Sequence, residues 1–273
     1  MSDSYKVDYH IHSWYSDGTM KPTELVRRYY DMEYDMISIT DHDGIDGVQE
    51  ALIAGEALKI KVISGVELAV EHEGKELHLL GYQFDPENPA LRTKLEELRQ
   101  YRNERNEKML AKLQEMGYAL TMEDLKQRPG QTYIGKPNFA RALAAKGYIS
   151  SPSEAFAPGE LLESPELKAI SRKKISAEEA ISLLKEAGGM AVLAHPMKIR
   201  KQGLQGSEEF WENLDIMLRQ LKKMGLSGME CIYPSHSEEE IIKLVNLAGK
   251  YHLHITEGSD YHGDDLQKGG EGK

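Results

Sequence analysis

The stretch VDYHIHSWYSDGT, residues 7–19, has the alternating pattern of a β-strand that runs into a glycine turn. Successive side chains of a strand point to opposite faces, so Asp8, His10 and His12 share one face while the other face is apolar. Two imidazoles at alternate positions near a strand end can bind one divalent ion. The same pattern also suits an exposed polar strand face, so the rest of the chain has to decide between the two interpretations.

Length and composition suit one large domain or a domain with an insertion. The chain has 273 residues, of which 40% are hydrophobic and 29% are charged, and this size range includes α/β barrels. Its single cysteine, Cys231, excludes an internal disulfide framework and a cluster of thiolates. Any metal site must therefore be built from nitrogen and oxygen ligands.

The charge balance limits the class of partner. The net charge is −11, from 45 acidic and 34 basic residues, which argues against a long track on duplex nucleic acid. A small phosphorylated ligand is compatible with this charge, because bound cations would neutralise several acidic groups. No apolar run approaches the roughly 18 residues that cross a membrane, and the first residues lack a signal sequence. We therefore expect a cytoplasmic protein with no membrane partner.

Short apolar runs have the length and composition of buried strands, and helical segments lie between most of them. The pairs Ser176/Glu179 and Ser237/Glu240 have the spacing of capping boxes at helix starts. Such alternation is typical of parallel strands joined by crossover helices, and about seven units predict an α/β fold with a closed or nearly closed barrel. The runs are YKVDYHI (5–11), MISIT (36–40), KVISGV (61–66), ELHLLGY (76–82), MAVLAH (190–195), GMECIY (228–233) and LHITEGS (253–259).

Residues 88–175 break this alternation, since no strand signal interrupts them. We predict that they form a helical, lid-like insertion over one end of the barrel, and that 1–87 and 176–273 form the barrel itself. The insertion starts with a long charged helix, whose charge run is more typical of a solvated face than of a nucleic-acid surface. Its apolar stripe is interrupted and is marked by Leu91, Leu95, Leu98, Met109 and Leu113.

Ligand-type residues stand at the ends of most of the predicted strands. The carboxyl ends of parallel barrel strands lie on one face, so these side chains should meet there although they span most of the sequence. One such strand end is an easy coincidence, but six are not, and the set predicts a metal site. The residues are Asp41, His42 and Asp43 after the second run, Glu67 after the third, His78 within the fourth, His195 after the fifth, Glu230 in the sixth, and Asp260 and His262 after the seventh.

In these motifs the sequence resembles the polymerase and histidinol phosphatase (PHP) family. The resemblance covers nearly the whole chain through DYHIHSWYSDGT, ITDHDG, GVE, LHLLGY, LAHP and SDYHG. It implies a distorted barrel of about seven β/α units and up to three divalent ions, for which manganese, iron and zinc are all suitable. Carried over by residue, His10, His12, Glu67 and Asp260 would hold one ion, Glu67 with His78 and His195 a second, and Asp17 with His42 and His262 a third.

Several residues near these ligands have open roles. Asp17 stands where members of the family have histidine, and from local sequence alone it could equally be a turn residue before a glycine. Asp8 is expected to support an imidazole, and Asp41 to do the same or to take part in proton transfer. Glu230 could lie at the rim of the site or simply end a strand. His72, in the hairpin sequence EHEGKE, is expected to be exposed, and Cys231 to be a small core residue.

The resemblance to the small phosphoesterase branch of the family suggests the reaction. It implies hydrolysis of phosphate from nucleotides by a metal-bridging hydroxide. The substrate would be a nucleoside 3′,5′-bisphosphate, giving the 5′-monophosphate, or short 5′-phosphorylated RNA. Lys136, Arg141 and His236 are candidates for holding the substrate, and Asp41 and His236 for catalysis, with His236 as a possible acid for the leaving group. The alternatives are a histidinol-phosphate phosphatase and a non-catalytic metal-binding module.

Overall fold

The computed structural model describes residues 5–128 and 131–263. Within these residues the chain forms nine β-strands and eight α-helices, with short 3₁₀ turns at Pro152–Phe156, Leu161–Glu163 and Pro196–Lys198. In chain order the elements are β1 (Val7–Ile11), α1 (Pro22–Asp31), β2 (Met36–Ile39), α2 (Val48–Leu58), β3 (Lys61–Ile63), β4 (Gly65–His72), β5 (Lys75–Tyr82), α3 (Pro89–Glu115), α4 (Lys136–Ala145), α5 (Pro165–Lys168), β6 (Ile175–Ser176), α6 (Ala177–Glu186), β7 (Met190–Leu193), α7 (Glu208–Met224), β8 (Gly228–Ile232), α8 (Glu238–Lys250) and β9 (His254–Glu257).

The strands surround a common axis as two hydrogen-bonded sheets. One sheet has the order β1-β2-β3 and the other the order β6-β4-β5-β7-β8-β9. Two isolated parallel bridges, Ile11 to Tyr261 and His42 to Glu67, connect the sheets at both junctions. The strands therefore form the distorted α/β barrel that the sequence predicts, with helices packed outside it. The described residues form nine strands instead of the seven apolar runs, because the run KVISGV is divided between β3 and β4 and the short β6 was not predicted.

One hairpin departs from the parallel pattern. β4 and β5 pair antiparallel from Gly65–Tyr82 to His72–Lys75, and β5 also runs antiparallel to β7. The hairpin expected at EHEGKE is present, but the expectation of parallel strands was wrong for β5, because only Glu73 and Gly74 separate β4 from β5 and a parallel crossover needs a dozen or more residues. Both turn residues have positive φ, 49° and 72°, as a two-residue hairpin turn of the primed type requires.

The long helix α3 is shared by two apolar cores. Its first part buries Leu91, Leu95 and Leu98 in the core around the barrel. Its last part buries Met109 and Leu113 in a separate core with the later helices of the insertion. Between these two parts the buried positions are polar, and they are occupied by Arg102, Arg105 and Asn106.

The helix starts follow the local sequence. The Ser176 side chain accepts a hydrogen bond from the Glu179 backbone N–H at the start of α6, and Ser237 and Glu240 form a reciprocal capping box at the start of α8. Pro22 lies in the first turn of α1. In the described part of the chain, no helix combines the length and the apolar character needed to span a membrane.

Candidate metal centre

The histidines and carboxylates singled out by the sequence come together at one end of the barrel. His10 lies on β1 and His12 just beyond it, while His42 and His195 follow β2 and β7. His78 is different, because it lies inside β5, which runs in the opposite direction and reaches the same level part-way along its length. The remaining members are Asp17 in the turn after β1, Glu67 on β4, and Asp260 and His262 after β9.

Glu67 lies at the centre of this cluster. Its side chain is 1% exposed, and each carboxylate oxygen faces imidazole nitrogens. Oε1 is 2.7 Å from His78 Nδ1 and 3.0 Å from His195 Nε2. Oε2 is 2.8 Å from His42 Nδ1 and 3.3 Å from His12 Nε2. The Glu67 carboxylate would therefore offer one oxygen to each of two groups of imidazoles.

Asp17 forms a second focus. Its Oδ2 is 3.5 Å from His42 Nε2, and its Oδ1 is 3.3 Å from His262 Nε2 and 3.7 Å from His12 Nδ1. All four residues offer ligand atoms within 4.8 Å of one another. Asp17 is thus placed among imidazoles, and its position is compatible with a ligand rather than with a turn residue alone.

The donor atoms fit divalent cations. Asp260 Oδ1 lies 3.4 Å from His10 Nε2 and 3.1 Å from His12 Nε2. Both of these imidazole nitrogens, together with Asp17 Oδ1 and Glu67 Oε2, are buried without a hydrogen-bond partner among the described residues. Burying such atoms unsatisfied is costly, and imidazole nitrogen with carboxylate oxygen is a donor set that binds zinc, manganese and iron. The cluster is therefore suited to hold metal ions.

The electrostatics of the cluster couple charged carboxylates to imidazoles. Burial alone would raise the pKa of Glu67, but the surrounding imidazoles, led by His42 and His78, hold it well below its usual value. Burial lowers the pKa of His12 to about 3, with help from His262 and His42. His12 is therefore neutral at pH 7, the form in which imidazole binds a metal. Burial opposes the charge of His78 as well, but Glu67 and Glu76 outweigh it and raise the pKa of His78 to about 10.

Comparison with known proteins agrees with this geometry. The family model described as PHP domain matches residues 8–231. The chain belongs to the PHP domain family. It is 30% identical over 258 residues to a 3′,5′-nucleoside bisphosphate phosphatase of Chromobacterium violaceum, covering 94% of this chain and 87% of that one. It is 29% identical to a 5′-3′ exoribonuclease of Haemophilus influenzae, covering 94% and 90%.

Two solved structures superpose on nearly the whole chain. A protein of Bifidobacterium adolescentis described as a metal-dependent phosphoesterase superposes with a TM-score of 0.81 at 30% identity, covering 95% of this chain and 88% of that one. An amidohydrolase of Chromobacterium violaceum with bound sulfate superposes with a TM-score of 0.82 at 29% identity, covering 96% and 89%. The present chain is a metal-dependent phosphoesterase of this family.

Glu230 supports the histidine and carboxylate cluster through hydrogen bonds to two of its segments. Its side chain is 0% exposed, Oε1 accepts a hydrogen bond from His10 Nδ1 at 2.9 Å, and Oε2 accepts one from the His195 backbone N–H at 2.7 Å. A carboxylate can only accept here, so Nδ1 of His10 carries a proton and Nε2 faces the cluster. The sequence left the role of Glu230 open, and the structure places it as a positioning residue for two imidazole-bearing segments.

Asp8 and Asp41 accept hydrogen bonds from backbone N–H groups and hydroxyl groups, and not from imidazole rings. Asp8 accepts hydrogen bonds from the backbone N–H groups of His10 and Ser259 and from the Tyr29 hydroxyl, so the expectation that it supports an imidazole was wrong. Asp41 accepts from the Ser13 N–H and hydroxyl and from the Ser16 hydroxyl, and Ser16 lies 3.4 Å from His12 Nδ1. Asp41 thus orders the loop that carries His12 and Asp17.

The candidate substrate residues lie on two parts of the fold, α4 of the insertion and the turn after β8. Lys136 begins α4 and Arg141 lies further along the same helix, both half-buried, and burial lowers the pKa of each. The charge of Asp17 acts on the pKa of Arg141 in the opposite direction, so this guanidinium interacts electrostatically with the cluster. His236 is buried beside the Tyr233 ring. Its Nδ1 donates to the Cys231 carbonyl at 3.0 Å, and its Nε2 has no partner among the described residues.

Sequence reasoning missed the residues that frame the cluster. Tyr233 donates to Asp260 Oδ2 at 2.6 Å and in turn contacts the Lys198 ammonium. On the other side the Tyr133 ring stacks on the His42 ring, with centroids 5.9 Å apart and planes at 16°. The Arg102 guanidinium lies over the Tyr133 ring, 4.2 Å from its centroid. A signal for Arg102 was present, because it continues the buried stripe of α3 at the point where apolar residues stop.

Two smaller expectations had clear outcomes. Cys231 is fully buried in the barrel core, as predicted. His72 was expected to be exposed, but it is buried and its Nε2 lies 3.0 Å from Gln220 Oε1. The prediction was wrong because α7 packs against the β4–β5 hairpin through Gln220, which also donates to Glu73. A tertiary contact of this kind leaves no mark in the local sequence.

Proposed function

We propose that this PHP enzyme removes phosphate from nucleotides that carry a second, terminal phosphate. Its substrates would be nucleoside 3′,5′-bisphosphates, which give nucleoside 5′-monophosphates, and short 5′-phosphorylated oligoribonucleotides. The observation that carries the proposal is that two cations of the insertion interact electrostatically with acidic groups at a cluster suited to metal ions, Arg141 with Asp17 and Lys136 with Glu76, whose Oε1 is 3.8 Å from His78 Nε2. A substrate with one phosphate at the cluster and another at these cations would use both features.

We assign the metal ligands as three groups, two of which share Glu67. When bound, divalent ions supply Lewis acidity, which neutralises charge on the phosphoryl group and activates water at neutral pH. The donor set suits manganese, iron and zinc, and the carboxylate of Asp17 favours the harder ions. The groups are His10, His12, Glu67 and Asp260; Glu67, His78 and His195; and Asp17, His42 and His262.

The other residues of the chain bind and orient the substrate. Lys136 provides a point charge and Arg141 a planar fork for phosphate oxygens. His236 donates from Nδ1 to a backbone carbonyl, and burial lowers its pKa. It is therefore neutral at pH 7 with an unpaired acceptor at Nε2, which would take the proton that the attacking water loses and pass it to the oxygen of the leaving group. Asp41 would act by ordering the loop that carries His12 and Asp17.

The decisive experiment is a phosphate-release assay on manganese-loaded protein. The substrates are adenosine 3′,5′-bisphosphate, a 5′-phosphorylated oligoribonucleotide and histidinol phosphate, each with a chelated control. We expect chelator-sensitive release from the bisphosphate and cleavage of the RNA. Preference for histidinol phosphate would instead support the alternative phosphatase, and inactivity of the metal-loaded protein on all three substrates would contradict the proposal.

Variants of α4 test the cationic residues separately from the metals. Lys136→Ala with Arg141→Ala should lower kcat/KM for the bisphosphate while leaving the metal content unchanged. Lys146→Ala is the matched control, because Lys146 is an exposed cation at the other end of the same helix. Equal losses of metal and of activity in the double variant would show that these residues support the fold of the centre rather than the substrate.

A further inference from the structure

One buried carboxylate, that of Asp43, connects the barrel to two segments of the insertion. Arg102 on α3 and Arg172 just before β6 both contact Asp43 Oδ2, Arg172 at 2.7 Å. The side chains of Asp43, Arg102 and Arg172 are 2%, 7% and 8% exposed. Breaking a buried ion pair leaves an uncompensated charge, so this group of three residues, the joint, holds both segments of the insertion on the barrel.

Asp43 also fixes the backbone of two residues of the cluster. It directly follows His42, and its Oδ1 accepts a hydrogen bond at 3.0 Å from the backbone N–H of Ala69, two residues beyond Glu67 on β4. Its own backbone N–H donates to the Glu67 carbonyl at 2.8 Å, and His42 and Glu67 form an isolated parallel bridge. The His42 and Glu67 side chains, which meet at 2.8 Å, are therefore carried by backbone that Asp43 holds in place.

A second contact of the insertion reaches the His42 ring itself. Tyr133, three residues before α4, stacks on this ring with centroids 5.9 Å apart. Tyr133 is held in turn by Arg102, whose guanidinium lies over its ring and whose Nη1 donates to its hydroxyl at 3.1 Å. Arg102 thus contacts both Asp43 and Tyr133, the residues that hold His42 from its backbone and from its ring. A displacement of α3 from the barrel would disturb both supports together.

We propose that Asp43 is a positioning residue through which the docking of the insertion strengthens metal binding at His42. Paired with Arg102 and Arg172, it keeps the His42 ring in contact with both Asp17 and Glu67. The coupling acts in both directions, because docking that strengthens metal binding is itself strengthened by bound metal to the same extent. The insertion is therefore a wall of the site that docks more firmly when metal is bound. This inference rests on the proposed metal ligands and is independent of the substrate.

Arg172→Met tests the joint from the side of the insertion, since it removes one guanidinium from Asp43 and leaves every proposed ligand in place. A manganese titration of the chelator-stripped variant should show at least one ion bound about 10- to 100-fold more weakly, as for residues that support metal ligands. Arg172→Lys keeps the charge and should recover part of this loss. Lys173→Met is the matched control, because Lys173 is an exposed cation that donates to the Tyr101 hydroxyl. Manganese affinity of Arg172→Met within about twofold of the wild type would overturn the proposal.

Amide hydrogen exchange measures the reverse direction without any substrate. In the wild type, manganese should slow exchange in residues 133–135 and in α4 as well as in the barrel strands. In Arg172→Met at saturating manganese, the barrel should keep this protection while α4 loses most of it. Equal loss in the barrel and α4 would indicate a purely structural role and overturn the coupling, as would protection limited to the barrel in the wild type. If the wild type shows the coupling but releases phosphate from no nucleotide, the proposed reaction fails and the coupling stands.

Discussion

Replacing Glu230 with glutamine tests how the barrel orients its metal ligands. The carboxylate accepts hydrogen bonds from His10 Nδ1 at 2.9 Å and from the His195 backbone at 2.7 Å, and it is fully buried. Glutamine keeps the shape but removes the charge, and a hydrogen bond to a charged group contributes about 1.5–3 kcal/mol. At 1.4 kcal/mol per factor of ten, one such bond corresponds to roughly a 10- to 150-fold loss of metal affinity. Losses of 10- to 100-fold are typical for residues that support metal-bound histidines.

The assay is a manganese titration of the chelator-stripped protein, followed by phosphate release at saturating manganese. We expect weaker binding of at least one ion and partial recovery of activity when the metal concentration is raised. Glu239→Gln is the control, because Glu239 is exposed on α8 and contacts Lys243 only through a surface ion pair. Unchanged manganese affinity in Glu230→Gln, within about twofold, would refute the idea that this hydrogen bond tunes His10.

Three further predictions follow from other buried groups. Glu67→Gln should lose bound metal and fall to the activity of the chelated wild type, and a variant that retains both would contradict the bridging role of this carboxylate. Asp43→Asn leaves Arg102 and Arg172 unpaired, so the free energy of unfolding in urea should fall by about 3–5 kcal/mol, whereas no change would mean that the pairs are not formed. Burial, followed by the charge of Glu230, raises the pKa of Cys231 to about 12 from 9.0. Iodoacetamide at pH 8 should therefore label Cys231 only after unfolding, and the thiol's contribution to stability, complete below pH 9, should be lost as the pH rises toward 12. Fast labelling of the native protein would contradict this.

Most strands and their order along the chain could be predicted because burial imposes patterns that local sequence records. The two-residue strand β6 was missed because it is too short to show such a pattern. Runs such as MISIT and MAVLAH are short, apolar and separated by helices, and the capping serines mark helix starts. The direction of β5 could not be found from apolar pattern alone, since a buried strand has the same composition whichever way it runs. The two-residue turn at Glu73 and Gly74 held that information, because it is too short for a crossover.

The histidines and carboxylates of the cluster could be singled out from the sequence, because imidazole and carboxylate groups at strand ends have few structural uses. The support residues were harder to find. Glu230 accepts a hydrogen bond from the imidazole of His10, whereas Asp8 accepts one from the His10 backbone N–H. This difference depends on the tertiary structure, and no local sequence pattern records it. Arg102 and Arg105 do leave a pattern, since they occupy the positions of α3 where the apolar stripe should continue. A polar residue at a core position is costly, so such a break in a stripe indicates a site.

The continuity of α3 has a consequence for how the molecule unfolds. The helix has 27 residues, about 40 Å at 1.5 Å per residue, and one end is packed in the barrel core while the other is packed in the core of the insertion. Melting the helical segment in either core removes the support for hydrogen bonds in the adjoining turns, so neither core can come apart at a cost confined to itself. Two cores joined by one unbroken rod should melt together, as one calorimetric transition, in spite of the separate packing of each.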